Sequence, residues 1–218
     1  RSPARPAHLV LVTGTGTGVG KTWVAARLLG ALRAGGGRVS ARKPAQSFAP
    51  ASSSHPPPRA GTDAEVLAAV TGEGPTEVCP AHRWYQLPMA PPMAAEALGR
   101  PPFTVADLVG ELRWPDGTGH GLVEGVGGPR SPLACDGDTV ALARALRPDT
   151  TVLVADAGLG ALNAVLVSVA AMPAPAPVVM LNRYDAAERL HVANARWLRS
   201  RAGLDVATSV EELLTRFR

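Results

Sequence analysis

Only two of the 22 basic residues in this chain are lysines, Lys21 and Lys43; the rest are arginines. A compact ammonium and a planar guanidinium are not interchangeable at a tight phosphate site, so both lysines stand out by type alone. Lys21 closes the run Val12-Thr-Gly-Thr-Gly-Thr-Gly-Val-Gly-Lys-Thr22, which follows the apolar segment His8–Thr13 and precedes an Ala/Leu-rich stretch. An expected strand, a glycine-rich loop, Gly-Lys-Thr and an expected helix are the parts of a P-loop. Backbone N–H groups from Gly14, Thr15, Gly16, Thr17, Gly18, Val19 and Gly20 would cradle phosphates at the helix start. Lys21 would reach the β- and γ-phosphates, and the Thr22 hydroxyl would ligate Mg²⁺. The loop reads Gly14-x5-Gly20-Lys-Thr, one residue longer than the usual form, because Thr15 stands where the first glycine is expected.

A P-loop specifies a nucleotide, not a reaction. Three further expected strand ends carry polar residues: Lys43-Pro-Ala-Gln-Ser47, Val123-Glu-Gly-Val-Gly-Gly128 and Leu181-Asn-Arg183. Lys43 can neutralise charge on a transferring phosphoryl group. Glu124 suits Mg²⁺, which takes one or two carboxylates together with phosphate oxygens. Asp63 is a second carboxylate candidate, or simply an acid at a helix start. Asn182 offers a donor and an acceptor to a base edge, or else serves a turn.

The elements that would position these groups alternate simply. Strands are expected at His8–Thr13, Arg38–Lys43, Gly121–Glu124, Thr151–Asp156 and Pro177–Leu181, the last of these being the final strand. Helical patterns run from about Lys21 to Arg33, Asp63 to Val70, Ala94 to Leu98, Val105 to Leu112, Asp138 to Leu146, Leu162 to Ala171 and Ala186 to Ser200. Pro44–Arg59 is expected to be a loop, mobile near Ser52–Pro58. Short apolar runs separated by helices predict βαβ units: an α/β fold, P-loop NTPase-type, three layers α/β/α with a mainly parallel central sheet. Residues 1–218 suit one such domain, with residues 1–7 flexible or tag-derived.

Composition narrows the partners. The formal net charge is +4, aromatics make up 4%, and basic residues are interleaved with acids, which argues against nucleic acid. The five arginines from Arg183 to Arg201 are expected to solvate one helix face. The uncharged stretch Ala157–Asn182 is interrupted by prolines and does not read as a membrane span. Cys79 and Cys135 form no disulfide or metal pattern, and the cytoplasm is the expected compartment.

The ordered set Gly14-x5-Gly20-Lys-Thr22, Lys43-Pro-Ala-Gln-Ser47, Thr62-Asp63, Pro88-Met-Ala-Pro91 with Ala94-Ala-Glu96, Val123-Glu-Gly-Val-Gly-Gly128, Gly158-Leu-Gly-Ala-Leu-Asn163 and Leu181-Asn182 resembles the dethiobiotin synthetase family, from His8 to about Arg201. The Gly16/Gly18 form of the loop is similar to actinobacterial members. The resemblance implies a homodimer that uses ATP and Mg²⁺ to close a cyclic urea on a diamine, 7,8-diaminononanoate, with CO₂ or bicarbonate. It implies that Lys21 and Lys43 flank the γ-phosphate and a carbamate, and that Thr17 and Ser47 hydrogen-bond the reacting groups. Thr22, Asp63 and Glu124 would hold Mg²⁺, with Asn182 at the base. Backbone from Gly125, Val126, Gly127 and Gly128 would face the diamine, together with Lys43 and Ser47. Leu162 and Asn163 would bind the substrate carboxylate from the neighbouring subunit.

The chain departs from the family pattern in three places. Phe48 replaces a usual glycine after Ser47 and is expected to narrow the substrate pocket or shift its loop. Pro129-Arg130-Ser131 is more polar than the pattern, and Val206–Arg218 lacks the proline-containing loop that often borders the base. Phe48 motivates an alternative, a paralogue closing a urea on a different diamine. A partition-type P-loop ATPase would need another lysine early in the loop, and a cobyrinate-type amide synthetase a glutaminase domain.

Overall fold

The computed structural model describes residues 5–49 and 61–217; part of the expected loop Pro44–Arg59, including Ser52–Pro58, lies outside them. The chain runs β1 (His8–Gly14), α1 (Lys21–Ala34), β2 (Val39–Arg42), β3 (Gln46–Ser47), α2 (Asp63–Thr71), α3 (Pro75–Val78), β4 (Trp84–Tyr85), α4 (Pro91–Ala97) and α5 (Val105–Glu111). It continues β5 (His120–Glu124), β6 (Pro132–Ala134), β7 (Gly137–Asp138), α6 (Thr139–Leu146), β8 (Thr150–Asp156), α7 (Ala161–Ala171), β9 (Val178–Asn182), α8 (Arg189–Ser200), β10 (Val206–Ala207) and α9 (Val210–Leu214).

Six strands form one sheet in the order β10-β9-β8-β1-β5-β2, and every pair in it is parallel. Side chains alternate across it as the period of two requires. Val10 and Val12 of β1 pack on α1, α2 and α9 through Leu28, Leu67 and Leu213. Leu9 and Leu11 point the other way, toward Leu108 of α5 and Leu142 of α6. Further along that second face, Leu153 and Val179 meet Val165 of α7 and Leu198 of α8. Helices on both faces complete the three-layer α/β/α arrangement.

Two expectations need correction. The sheet does not end at the strand carrying Asn182. The two-residue β10 adds beyond it, too short to show an alternating pattern, and α9 follows. The arginines 183–201 do not share one helix face either. Arg183 precedes α8, with φ 56, and bonds Asp156, while Arg199 turns to the Val206 carbonyl and Glu212.

The order of the strands reverses about β1: β5 and β2 lie to one side, and β8, β9 and β10 to the other. Ligands in open α/β sheets gather outside the carboxyl ends at such a point. Register sets those ends level, pairing Val12 with Glu124, Arg42 with Val123, and Asp156 with Asn182.

The strand leading to Lys43 is anchored from behind by Glu73, just past α2. Its Oε1 accepts from Ser40 Oγ (2.6 Å) and Arg42 Nη1 (2.7 Å), and its Oε2 from the Ala41 N–H (3.0 Å). Burial pushes the Glu73 pKa up, but these donors outweigh it and hold it below its ordinary 4.5. A depressed carboxyl stabilises the fold above its unfolded pKa and loses that contribution as pH falls. Glu73→Gln, which leaves the Arg42 guanidinium without its counter-charge, is expected to cost about 3 kcal/mol at pH 7 in urea unfolding. The gap to the wild type should shrink as pH drops below 4.5. An equal gap at both pH values would show that the charge of Glu73 does not anchor β2.

Candidate active site

The loop after β1 is held in shape by donors on its carbonyls. Lys21 Nζ donates to the Gly16 carbonyl (2.9 Å), Asn182 Nδ2 to Val19 (2.9 Å) and Arg183 Nη2 to Gly18 (2.7 Å). The Thr15 N–H is tied to β8 through the Val154 carbonyl at 2.9 Å. The N–H groups of residues 16–20 have no protein partner among the described residues. Carbonyls engaged and N–H groups free, at the start of α1, make a ready cradle for an anion. Gly20 caps α1 in a left-handed conformation (φ 94), and a Cβ there would come within 2.1 Å of Asn182 Nδ2.

Beside this loop lies a buried ionic cluster. Lys43, fully enclosed, places Nζ 2.7 Å from Glu124 Oε1, 2.8 Å from Asp63 Oδ2 and 3.1 Å from the Gly125 carbonyl. The Thr22 hydroxyl lies 2.8 Å from Asp63 Oδ1 and 2.9 Å from Glu124 Oε1. Asp63 reaches the cluster because Thr62 caps α2 in a reciprocal capping box with Glu65. It is therefore both a helix-start acid and a site residue.

The charges set one another. Burial alone would lower the Lys43 pKa, but Asp63 and Glu124 outweigh it and hold it above its ordinary value. Burial raises the Asp63 pKa, and Lys43, Thr22 and Lys21 together bring it below the ordinary range. Glu124 is pushed up by burial, which Lys43 opposes and Asp63 reinforces. Burial, then the charge of Lys43, brings Lys21 down to about 8.

The donor set fits Mg²⁺. Glu124 Oε2 is buried without a partner among the described residues, next to an aliphatic hydroxyl and a second carboxylate. Two carboxylates and a hydroxyl are hard oxygen ligands, few enough to leave coordination positions for water and phosphate.

A cleft of about 570 Å³ opens onto this cluster, with Thr17, Lys21, Lys43, Ser47, Met89 and Val126 among its walls. Gly127 lines it too, with φ 52, and its Cβ position would collide with Ser131 Oγ. That hydroxyl instead accepts from the Gly128 N–H (2.8 Å), while Arg130 reaches out to Asp138 (2.8 Å). The polar Pro129-Arg130-Ser131 segment thus shapes the glycine turn. Ser47 donates its hydroxyl proton to the Met89 carbonyl.

A second groove of about 500 Å³ lies on the far side of Gly20, bordered by Trp23, Asn182, Tyr184 and the stretch Thr208–Glu211. The short C-terminal segment therefore does wall the space beside Asn182. A wider hollow of about 720 Å³ along α8 contains none of the expected site residues.

One expectation is not met. The Phe48 ring does not narrow the cleft; it packs edge-on against Trp84 at 6.2 Å, and its N–H joins the Tyr85 carbonyl at 3.0 Å. Leu162 and Asn163 stand in the first turn of α7, away from this chain's own cleft; their expected role is one supplied by a neighbouring subunit. Residues that the sequence reading passed over include Gln46 and Met89, both in quoted motifs, and Arg183, whose contacts depend on β8 and β9 being neighbours.

Residues 8–215 match a family model described as an AAA domain. The chain is 34% identical over 204 residues to the ATP-dependent dethiobiotin synthetase BioD of Haloferax mediterranei, covering 92% of this chain and 83% of that protein. It is 41% identical over 170 residues to the protein of the same name from Rhodococcus jostii, covering 76% of this chain and 68% of that one. Among solved structures, the signal recognition particle receptor FtsY from Elizabethkingia anophelis superposes with a TM-score of 0.53 at 14% identity, over 96% of this chain and 62% of that one. This last likeness is one of fold.

Gly20 and Gly16 provide a matched test of the cradle. Gly20→Ala forces Asn182 off the Val19 carbonyl and is expected to weaken binding of a non-hydrolysable ATP analogue at least tenfold in calorimetric titration. At Gly16 a Cβ meets nothing within 4 Å, and Gly16→Ala should stay within about twofold. Equal losses would remove Asn182 from the support of the loop.

Proposed function

The chain belongs to the dethiobiotin synthetase family, and on that footing we propose that its cleft converts 7,8-diaminononanoate, CO₂ and MgATP to dethiobiotin, ADP and phosphate. The observation that carries this reading is the enclosed Lys43, held between Asp63 and Glu124 on the cleft that Lys21 also lines.

Chemistry first requires two anions to meet. One amine of the diamine adds to CO₂ and loses a proton, giving a carbamate. A carbamate oxygen must then approach the γ-phosphorus of ATP against like charge. Lys21 and Lys43 supply the positive charge that makes this approach affordable. Lys43 is suited to the role because its carboxylate neighbours keep it protonated. Thr17 and Ser47 face the same space and orient the reacting oxygens by hydrogen bonds. The second amine then attacks the carbonyl carbon of the carbamic–phosphoric anhydride, closing the cyclic urea and expelling phosphate. Backbone at Gly125, Val126, Gly127 and Gly128 borders the diamine. The free N–H groups of residues 16–20 hold the phosphates, the Thr15 N–H expected to join them being tied to Val154, and Asn182 faces the base.

Thr22, Asp63 and Glu124 would hold Mg²⁺, which when bound screens the charge of the phosphate oxygens.

The functional unit in this reading is a homodimer. Leu159, Leu166 and Val167 stand exposed around α7, Leu159 almost completely (94%), next to Leu162 and Asn163. An apolar face of this kind suits a partner subunit, which would bring the first turn of its α7, an anion-binding helix start, to the substrate carboxylate. An ATP-consuming reaction and two unpaired cysteines suit the cytoplasm. No helix among the described residues is long and apolar enough to cross a membrane.

The reaction is tested by product mass with the diamine, heavy-carbon bicarbonate and MgATP. A labelled cyclic urea with equimolar ADP is expected, and Lys43→Gln should cut turnover a hundredfold or more with little change in nucleotide affinity. Unlabelled product, or no product despite normal MgATP binding, would remove the assignment. For the dimer, Val167→Glu is expected to shift sedimentation to the monomer and raise the diamine KM. A wild type that sediments as a monomer at assay concentration would overturn the shared site.

A further inference from the structure

Gln46 sits between Lys43 and Ser47 in sequence and lines the cleft they share, yet it is 2% exposed. Its two amide ends are in different situations. Oε1 accepts from the Ala64 N–H at 3.1 Å, in the first turn of α2, one residue after Asp63. Because a backbone N–H can only donate, the oxygen must face it, and this fixes which way the amide is turned. Nε2 is thereby directed elsewhere, buried and without a hydrogen-bond partner among the described residues. A buried donor left unpaired costs free energy in the free protein, and such groups require an explanation. Gln46 itself lines a cleft whose contents, on the reading above, are anionic.

We propose that Gln46 is a substrate-contacting residue, whose Nε2–H₂ donates to an anionic oxygen of the reactants held between Lys43 and Ser47. The oxygen belongs either to the transferring phosphate or to the carbamate of the diamine; both present the same acceptor chemistry. The tether to Ala64 makes the contact selective, since the amide cannot turn over to offer its oxygen without losing the Ala64 N–H. Sequence gave little warning, because glutamine has no charge and no titration of its own. The inference rests on the proposed reaction.

Its test compares the wild type with Gln46→Ala in the labelled-bicarbonate assay, varying MgATP, diamine and free Mg²⁺ separately. The expected result is a loss of kcat/KM of tenfold to a hundredfold, the range for a hydrogen bond to a charged group. It should fall on one substrate and remain at saturating Mg²⁺. A raised KM for MgATP assigns the contact to the phosphate; a raised KM for the diamine assigns it to the carbamate. Activity within twofold of wild type overturns the proposal. So does a loss that excess Mg²⁺ reverses, because Gln46 then acts only by holding α2 and its Asp63 in place. A wild type that forms no labelled urea instead overturns the reaction, a failure seen before the variant is compared.

Discussion

Lys43 is a charged ammonium enclosed by protein, and that condition governs the architecture around it. An isolated buried charge is prohibitively costly, so it persists only with counter-charges in contact. Those counter-charges come from Glu124 at the end of β5 and Asp63 at the start of α2. Three segments far apart in the chain must therefore arrive together. Register between β2 and β5 brings two of them level, and the Thr62 capping box delivers the third. Glu73 and Gln46 fix α2 near its two ends, so the helix carrying Asp63 has little freedom to drift from the sheet.

The same cluster has a chemical logic. Lys43 and Thr22 occupy three of the carboxylate oxygens, and Glu124 Oε2 is the one left without a partner among the described residues. Two lysines share the cleft, yet their environments differ. Lys43 has two carboxylates in contact, whereas Lys21 rests on a carbonyl and is brought down to about 8 by burial. One is a fixed charge built into the fold. On the proposed reading, the other gains its counter-charge when an anion enters the cradle. The P-loop is braced in parallel from the other half of the sheet by Asn182 and Arg183, which links the phosphate side of the site to the groove beside β9.

Much of this was legible in the residues themselves. Gly14-x5-Gly20-Lys-Thr22 defines its loop by local chemistry, and the scarcity of lysine pointed to Lys43 before any neighbour was known. Glu124 was legible because a carboxylate ending an apolar strand needs a partner. Other features were not, because they depend on adjacency. Two residues of β10 show no period, and Arg183 reaches Gly18 and Asp156 only because β9, β8 and β1 lie side by side. Phe48 misled for the same reason. Its bulk was visible in sequence, but its direction was set by Trp84 on the short β4, which sequence did not reveal. The role of Gln46 depends on which end of an amide meets Ala64, and composition carries no trace of that.

The two rims of the sheet are its shortest strands: β10 has two residues and β2 four, against five to seven for the strands between them. Unpaired strand edges are templates for further pairing, and brevity is one way to blunt them. With so few backbone groups on offer, a second chain gains little by extending the sheet sideways. Self-association is thereby steered away from a continuous intermolecular sheet and toward side-chain packing between helices. That mode of assembly is closed and countable, whereas edge-on growth has no natural end.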